Sequence, residues 1–117
     1  MARRARHEAA GAVHHAVPQG NDGGRITRDA TDRDRLAERI AIVATDRDWR
    51  LLAWSILDTH AHLVIETPQP DLGAGMKRIL GGHSHAMHLR HGGSGALFVP
   101  RFWSTRIVDE LQLLRAV

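Results

Sequence analysis

An α+β domain, with a four-stranded antiparallel sheet and helices against one of its faces, is the architecture this sequence predicts. Three observations carry that expectation. Strand-period alternation runs through His60–Thr67, apolar stripes at helical spacing occupy Leu36–Val43 and Leu72–Met87, and dense turn clusters separate these segments. A chain of 117 residues, 43% hydrophobic and 25% charged, has room for one core, so these elements belong to one domain spanning 1–117.

The first strand is read at Gly11–Val17, which leaves into the turn-rich run Pro18-Gln19-Gly20-Asn21-Asp22-Gly23-Gly24. Thr31, with Asp34 three residues on, is the expected N-cap of a first helix whose inward positions are Leu36, Ile40 and Val43 and which ends before Asp46-Arg47-Asp48. Trp49–Leu57 and His60–Thr67 then read as two antiparallel strands joined at Asp58-Thr59, the second stopped by Pro68 and Pro70. Asp71 is the expected cap of a second helix with the stripe Leu72, Met76, Ile79, Leu80, His83 and Met87. Gly81-Gly82 weakens that helix by about 1 kcal/mol per glycine relative to alanine, so a kink is expected there. After His91-Gly92-Gly93-Ser94-Gly95, a last strand falls near Phe102–Val108, and a third helix is read over Asp109–Ala116. The order is βαββαβ, the ferredoxin-like arrangement.

Composition narrows the chemistry. With no cysteine there is neither disulfide framework, thiolate nucleophile nor cysteine-rich zinc site, so any metal chemistry rests on the nine histidines. No apolar run approaches a bilayer span, and His7, Glu8, His14 and His15 interrupt what a signal-peptide core would need, so a soluble, cytoplasmic protein with no membrane partner is expected. The net charge of +3 and the run Ala2-Arg3-Arg4-Ala5-Arg6, read as part of a flexible basic arm over residues 1–10, favour a polyanionic partner.

In His60-Ala61-His62-Leu63-Val64-Ile65-Glu66, side chains alternate between the two faces of a strand, so His60, His62 and Glu66 share one face. Two imidazoles two residues apart on a strand can reach one metal ion, and such an ion polarises a phosphate oxygen as a Lewis acid. By itself the pair also suits two half-exposed strand histidines, a common outcome in a histidine-rich chain.

The string Leu57-Asp58-Thr59-His60-Ala61-His62-Leu63-Val64-Ile65-Glu66-Thr67-Pro68 resembles the histidine-pair strand of the single-tyrosine HUH transposases, in particular the REP-associated tyrosine transposases. Gly11-Ala12-Val13-His14-His15 with Gly20-Asn21, Gly75-Met76-Lys77-Arg78, Arg90-His91-Gly92, Leu97-Phe98 and Arg101-Phe102 follow in the family's order, so the resemblance covers nearly the whole chain. It implies a ferredoxin-like domain in which His60 and His62 hold a divalent ion, magnesium or manganese, against a phosphate of single-stranded or hairpin DNA. A tyrosine on the following helix would attack that phosphate and form a covalent link. Both dimers and monomers are expected in such a family, so a homodimer is one expectation here.

The chain departs from that pattern in having no tyrosine. His83 occupies the position of the helix tyrosine, and His88 a nearby asparagine-type position. His83 is therefore a candidate substitute nucleophile, an added metal ligand, or an inward-facing residue of a protein that no longer cuts. His88 is a candidate third ligand; a site of three imidazoles would shift preference from magnesium toward manganese, nickel or zinc. Lys77, Arg78, Arg90, Arg101 and Arg106 are the candidate DNA-binding residues. Of Trp54, Phe102 and Trp103, most are expected in the core and one at the surface, available to stack on bases. Relatives continue beyond the position of Val117, so C-terminal truncation is a further expectation.

The function expected from these residues is DNA binding within a transposase lineage, with impaired cleavage. Two alternatives stand beside it: a metal-dependent single-strand endonuclease or strand transferase using His83 or water, and a ferredoxin-like metal- or protein-binding module with no DNA role.

Overall fold

The first strand, β1 (Ala12–Val17), follows Gly11, whose φ of +74° lies in the left-handed region that a residue without Cβ enters freely. The computed structural model describes residues 10–109; the basic run Arg3–Arg6 and all of the expected third helix after Asp109 lie outside the described residues. A single 3₁₀ turn at Asn21–Gly23 leads to helix α1 (Ala30–Asp46), followed by β2 (Arg50–Ile56), β3 (Ala61–Thr67), helix α2 (Leu72–His91) and β4 (Trp103–Ile107). The sheet order is β2-β3-β1-β4 with every neighbouring pair antiparallel, which confirms the ferredoxin-like βαββαβ architecture. No helix among the described residues is long and apolar enough to cross a membrane.

Two details of the helices differ from expectation. Helix α1 is capped by Asp29 and not by Thr31: the Asp29 carboxylate accepts the Asp32 N–H at 3.0 Å, and the Asp32 carboxylate reaches back to the Arg28 N–H at 2.9 Å. That reciprocal arrangement satisfies two N–H groups at once, and Thr31 is left exposed inside the first turn. Helix α2 continues through Gly81-Gly82 as one helix of 20 residues. Two of its glycines, Gly75 and Gly82, are explained by close approach instead of bending, whereas a Cβ on Gly81 would stand in open space. A Cβ on Gly82 would collide with the Arg39 side chain of α1, and one on Gly75 with the Trp49 ring.

Asp71 does sit at the N-cap of α2, but its carboxylate is used elsewhere, accepting from Trp49 Nε1 at 2.9 Å and from Arg47 at 3.1 Å. It ties the start of α2 to the residues that lead into β2.

The two faces of the sheet differ in what they meet. Ala16, Leu63 and Ile65 point toward the helices and join Ile26, Leu36, Ile40, Val43, Leu72, Met76, Ile79, Phe98 and Phe102 in one core. The alternate positions, His15 and Val17 on β1, His62, Val64 and Glu66 on β3, and Trp103 and Thr105 on β4, stand on the face away from it. Among the described residues β2 and β4 are the outer strands, and the ladder of β2 to β3 is irregular between Leu51 and Ala53.

Candidate functional site

Antiparallel register fixes the histidines of the outer face. His15 lies opposite Val64, and His62 stands two residues from Val64 on the same face of β3, so His15 and His62 meet diagonally across neighbouring strands. Their rings stack with centroids 5.3 Å apart, and His15 Nε2 lies 3.1 Å from His62 Nδ1. His60, on the approach to β3, turns to the same side and meets the His62 ring edge-on at 5.0 Å. Its Nδ1 is 3.2 Å from the Thr59 hydroxyl. The exposed Trp103 indole closes the group, edge-on to His15 at 5.3 Å.

Two members of this cluster, His15 and His62, are held toward the neutral form. Partial burial lowers the pKa of His15, reinforced by the neighbouring His62, and burial together with His60 does the same to His62. A neutral imidazole keeps a lone pair free for a proton or a metal ion. Nitrogen donors bound to one ion at about 2.1 Å stand about 3.0–3.4 Å apart, so the 3.1 Å between His15 and His62 suits shared ligation as well as a hydrogen bond. Among the described residues, no three histidine or carboxylate side chains already converge on a point that would hold an ion. A three-imidazole site therefore needs ring rotation, which half-exposed histidines permit.

His60 and His62 are thus brought together, and His83 and His88 are not brought to them. His83 is 2% exposed and lies in the core with its ring 6.1 Å from Phe98. Its Nε2 donates to the Ile26 carbonyl at 2.7 Å, which places the single proton on Nε2, and its Nδ1 has no partner among the described residues. Burial pushes its pKa down, against the opposing pull of the Ile26 carbonyl. His88 places Nε2 2.9 Å from the Gly95 carbonyl and serves the turn after α2.

The candidate cations also divide. Arg90 bonds Asp29 at 2.7 Å and Asp32 at 2.6 Å, and His91 bonds Asp32 at 2.8 Å, so these residues lock the end of α2 to the start of α1. Arg90 holds the Asp29 carboxyl down at about 2, and the same contact raises the Arg90 pKa above its ordinary value. Burial opposes ionisation of Asp32, yet hydrogen bonds from Arg28, Arg90 and His91 keep its pKa below the ordinary range. Arg78 pairs with Asp46 at 2.7 Å. Lys77 lines a groove between α2 and the segment before β4, with Leu80 and Phe98, and Arg106 sits opposite inward-facing His14 on β4. Only Arg101 of the five lines a pocket with Trp103, the residue whose ring meets His15 edge-on.

The sequence reasoning did not single out His15 as a site residue. Alternation along β1 makes either His14 or His15 outward, but which one meets His62 depends on the pairing of β1 with β3, 47 residues away in sequence. Both Trp54 and Trp103 are exposed, one more than expected, and Phe102 is buried.

No family model matches the chain, and neither does any curated protein. Solved structures do. A REP-associated tyrosine transposase bound to a REP hairpin superposes with a TM-score of 0.79 at 22% identity, over 98% of this chain and 67% of that one. A candidate transposase from Deinococcus radiodurans R1 gives a TM-score of 0.68 at 18% identity, over 97% of this chain and 92% of that one. The chain has the fold of these two proteins.

Proposed function

We propose that this chain belongs to the single-tyrosine HUH transposase family and acts as a binding protein for single-stranded or hairpin DNA with impaired cleavage. The observation that carries this reading is the cluster His15, His60 and His62 on the outer sheet face of a fold shared with a REP hairpin-bound transposase. The sequence motifs around His60 and His62 are those of the family, and their geometry is compatible with it.

His60 and His62 would hold a divalent ion, with His15 the nearest further nitrogen donor. Such an ion supplies Lewis-acid stabilisation to a phosphate oxygen. The neutral rings of His15 and His62 can bind it without first losing a proton. An all-nitrogen donor set favours manganese, nickel or zinc over magnesium. Calorimetric titration with each metal tests this, and magnesium binding as tightly as manganese or zinc overturns the all-nitrogen site.

Impaired cleavage rests on the missing nucleophile. The chain has no tyrosine, and the His83 ring is buried with its Nε2 proton committed to a backbone carbonyl. A phosphoramidate at His83 would need that side chain to leave the core. Arg101 is favoured as a phosphate contact, since Arg78 and Arg90 already serve carboxylates.

The test is incubation of the protein with a labelled hairpin from beside its own gene, with manganese or magnesium, followed on native and denaturing gels. A native shift without a cut product is expected. Nicking that disappears in His60→Ala and persists in His83→Ala would instead establish a metal-dependent nuclease acting through water. No shift at low salt would remove the DNA reading.

A further inference from the structure

We propose that the pocket beside the imidazole cluster receives one unpaired base of a bound single strand, stacked on Trp103, with the Arg101 guanidinium holding that nucleotide's phosphate. This deepens the single-stranded-DNA reading above and rests on it.

The pocket lies where β1 ends and β4 begins, has a volume of about 330 Å³, and is lined by Val17, Gln19, Arg101, Phe102, Trp103 and Ser104 among others. That volume is at the small end of the about 300–1,000 Å³ range of ligand sites, room for one flat ring system. Its walls supply what a nucleotide needs. Trp103 is 52% exposed, so an aromatic surface is open to solvent, while its edge contact with His15 limits how the ring can turn. Gln19 offers an amide donor and acceptor toward a base edge. Among the described residues Arg101 has no carboxylate partner, in contrast to Arg78 and Arg90. Among the described residues no carboxylate lines the pocket.

Position argues for a nucleotide over a free metabolite. Trp103 touches His15, and Gln19 bridges through its backbone to His60, so the pocket shares a wall with the imidazoles. A phosphate held at His60 and His62 would place its neighbouring base within reach of Trp103. The other exposed indole, Trp54, lies on the outer strand β2 opposite inward-facing Leu63, away from the cluster. A stacking platform is sequence-tolerant because every base has a π face. Any base preference would then come from Gln19.

The experiment uses the full chain and a labelled hairpin with single-stranded flanks, measured by fluorescence anisotropy in manganese. Trp103→Ala should bind between about fivefold and about 100-fold more weakly, and Trp103→Phe should recover most of the loss. Abasic substitution, one flank position at a time, should identify one position whose removal weakens wild-type binding but leaves Trp103→Ala binding unchanged. Arg101→Gln should lower the slope of affinity against salt by about one released counterion. Because Trp103 is exposed, the variant is expected to fold, which circular dichroism checks. Wild-type affinity in Trp103→Ala, or abasic effects that add fully to that substitution, overturns the base pocket and leaves the DNA reading standing. Failure of the wild-type chain to bind the hairpin removes both.

Discussion

The two faces of the sheet use the same side chain for opposite purposes. On the outer face, His15, His60 and His62 are half-buried, with His15 stacked on His62 and His60 edge-on to it, and open to a ligand. On the helix side, His83 is sealed into the core with one nitrogen spent on a backbone carbonyl. The difference teaches that the chemistry of an imidazole here is decided by which side of the sheet it faces and by what shares its proton. If the contrast holds, substitutions on the helix side cost stability and those on the outer face cost binding.

The largest expected loss of stability is at Asp32, the buried carboxylate that joins α1 to Arg90 and His91. Asp32→Ala should lower unfolding free energy by about 2–4 kcal/mol, a buried ion-pair value discounted for the partly exposed Arg90. Urea unfolding measures it, and a loss below about 1 kcal/mol would show that the helix lock is a solvated surface contact.

His83→Ala follows, at about 2 kcal/mol, because it leaves a cavity beside Phe98 and an unbonded Ile26 carbonyl. His83→Leu fills the space and should cost within about 1 kcal/mol. A His83→Ala variant that melts like the wild type would place that side chain outside the core and reopen its candidacy as a nucleophile.

The pH dependence is smaller. His83 has a folded pKa below the ordinary 6.5, so its neutral form is preferred in the folded state. That contribution is fully present above about pH 6.5 and is lost as pH falls through the lower folded value. His15 and His62 are shifted the same way, so His83→Leu should flatten the decline of stability between neutral and mildly acid pH only in part. A separate loss follows at stronger acidity, as Asp29 titrates between its ordinary 3.8 and about 2. An unchanged pH slope between neutral and mildly acid conditions in His83→Leu would refute the buried neutral imidazole.

The smallest effect on stability, and the sharpest test of the contrast, comes from the outer face. His15→Ala, His60→Ala and His62→Ala should each stay within about 0.5 kcal/mol of the wild type in urea unfolding. Metal affinity measured on the same samples should fall in all three. Destabilisation by any of them as large as that of His83→Ala would erase the distinction between the faces.

Much of this arrangement was legible in the sequence because it follows from periodicity. Alternation set His60 and His62 on one face, and the spacing of Leu72, Met76, Ile79 and His83 marked the buried stripe of α2. What was not legible depends on pairings distant in sequence. Arg90 reads as a free cation until α2 ends beside Asp29 and Asp32, about sixty residues earlier in the chain. His15 reads as one of two adjacent histidines until strand register sets it against His62. The cap of α1, expected at Thr31, is Asp29 because Asp32 stands three residues on, where its N–H can be received and its carboxylate returned to Arg28.

The irregularity in β2 bears on how the protein behaves at high concentration. An outer strand with an even ladder is a template on which another chain can add, one hydrogen bond after another. Between Leu51 and Ala53 the pairing of β2 with β3 slips, and a strand that carries such a bulge bends and twists more tightly than its neighbours. An incoming straight strand would lose step partway along that side of the sheet. Edge-to-edge growth into fibres is therefore opposed along β2 by shape, without the lysines or prolines that commonly guard such edges.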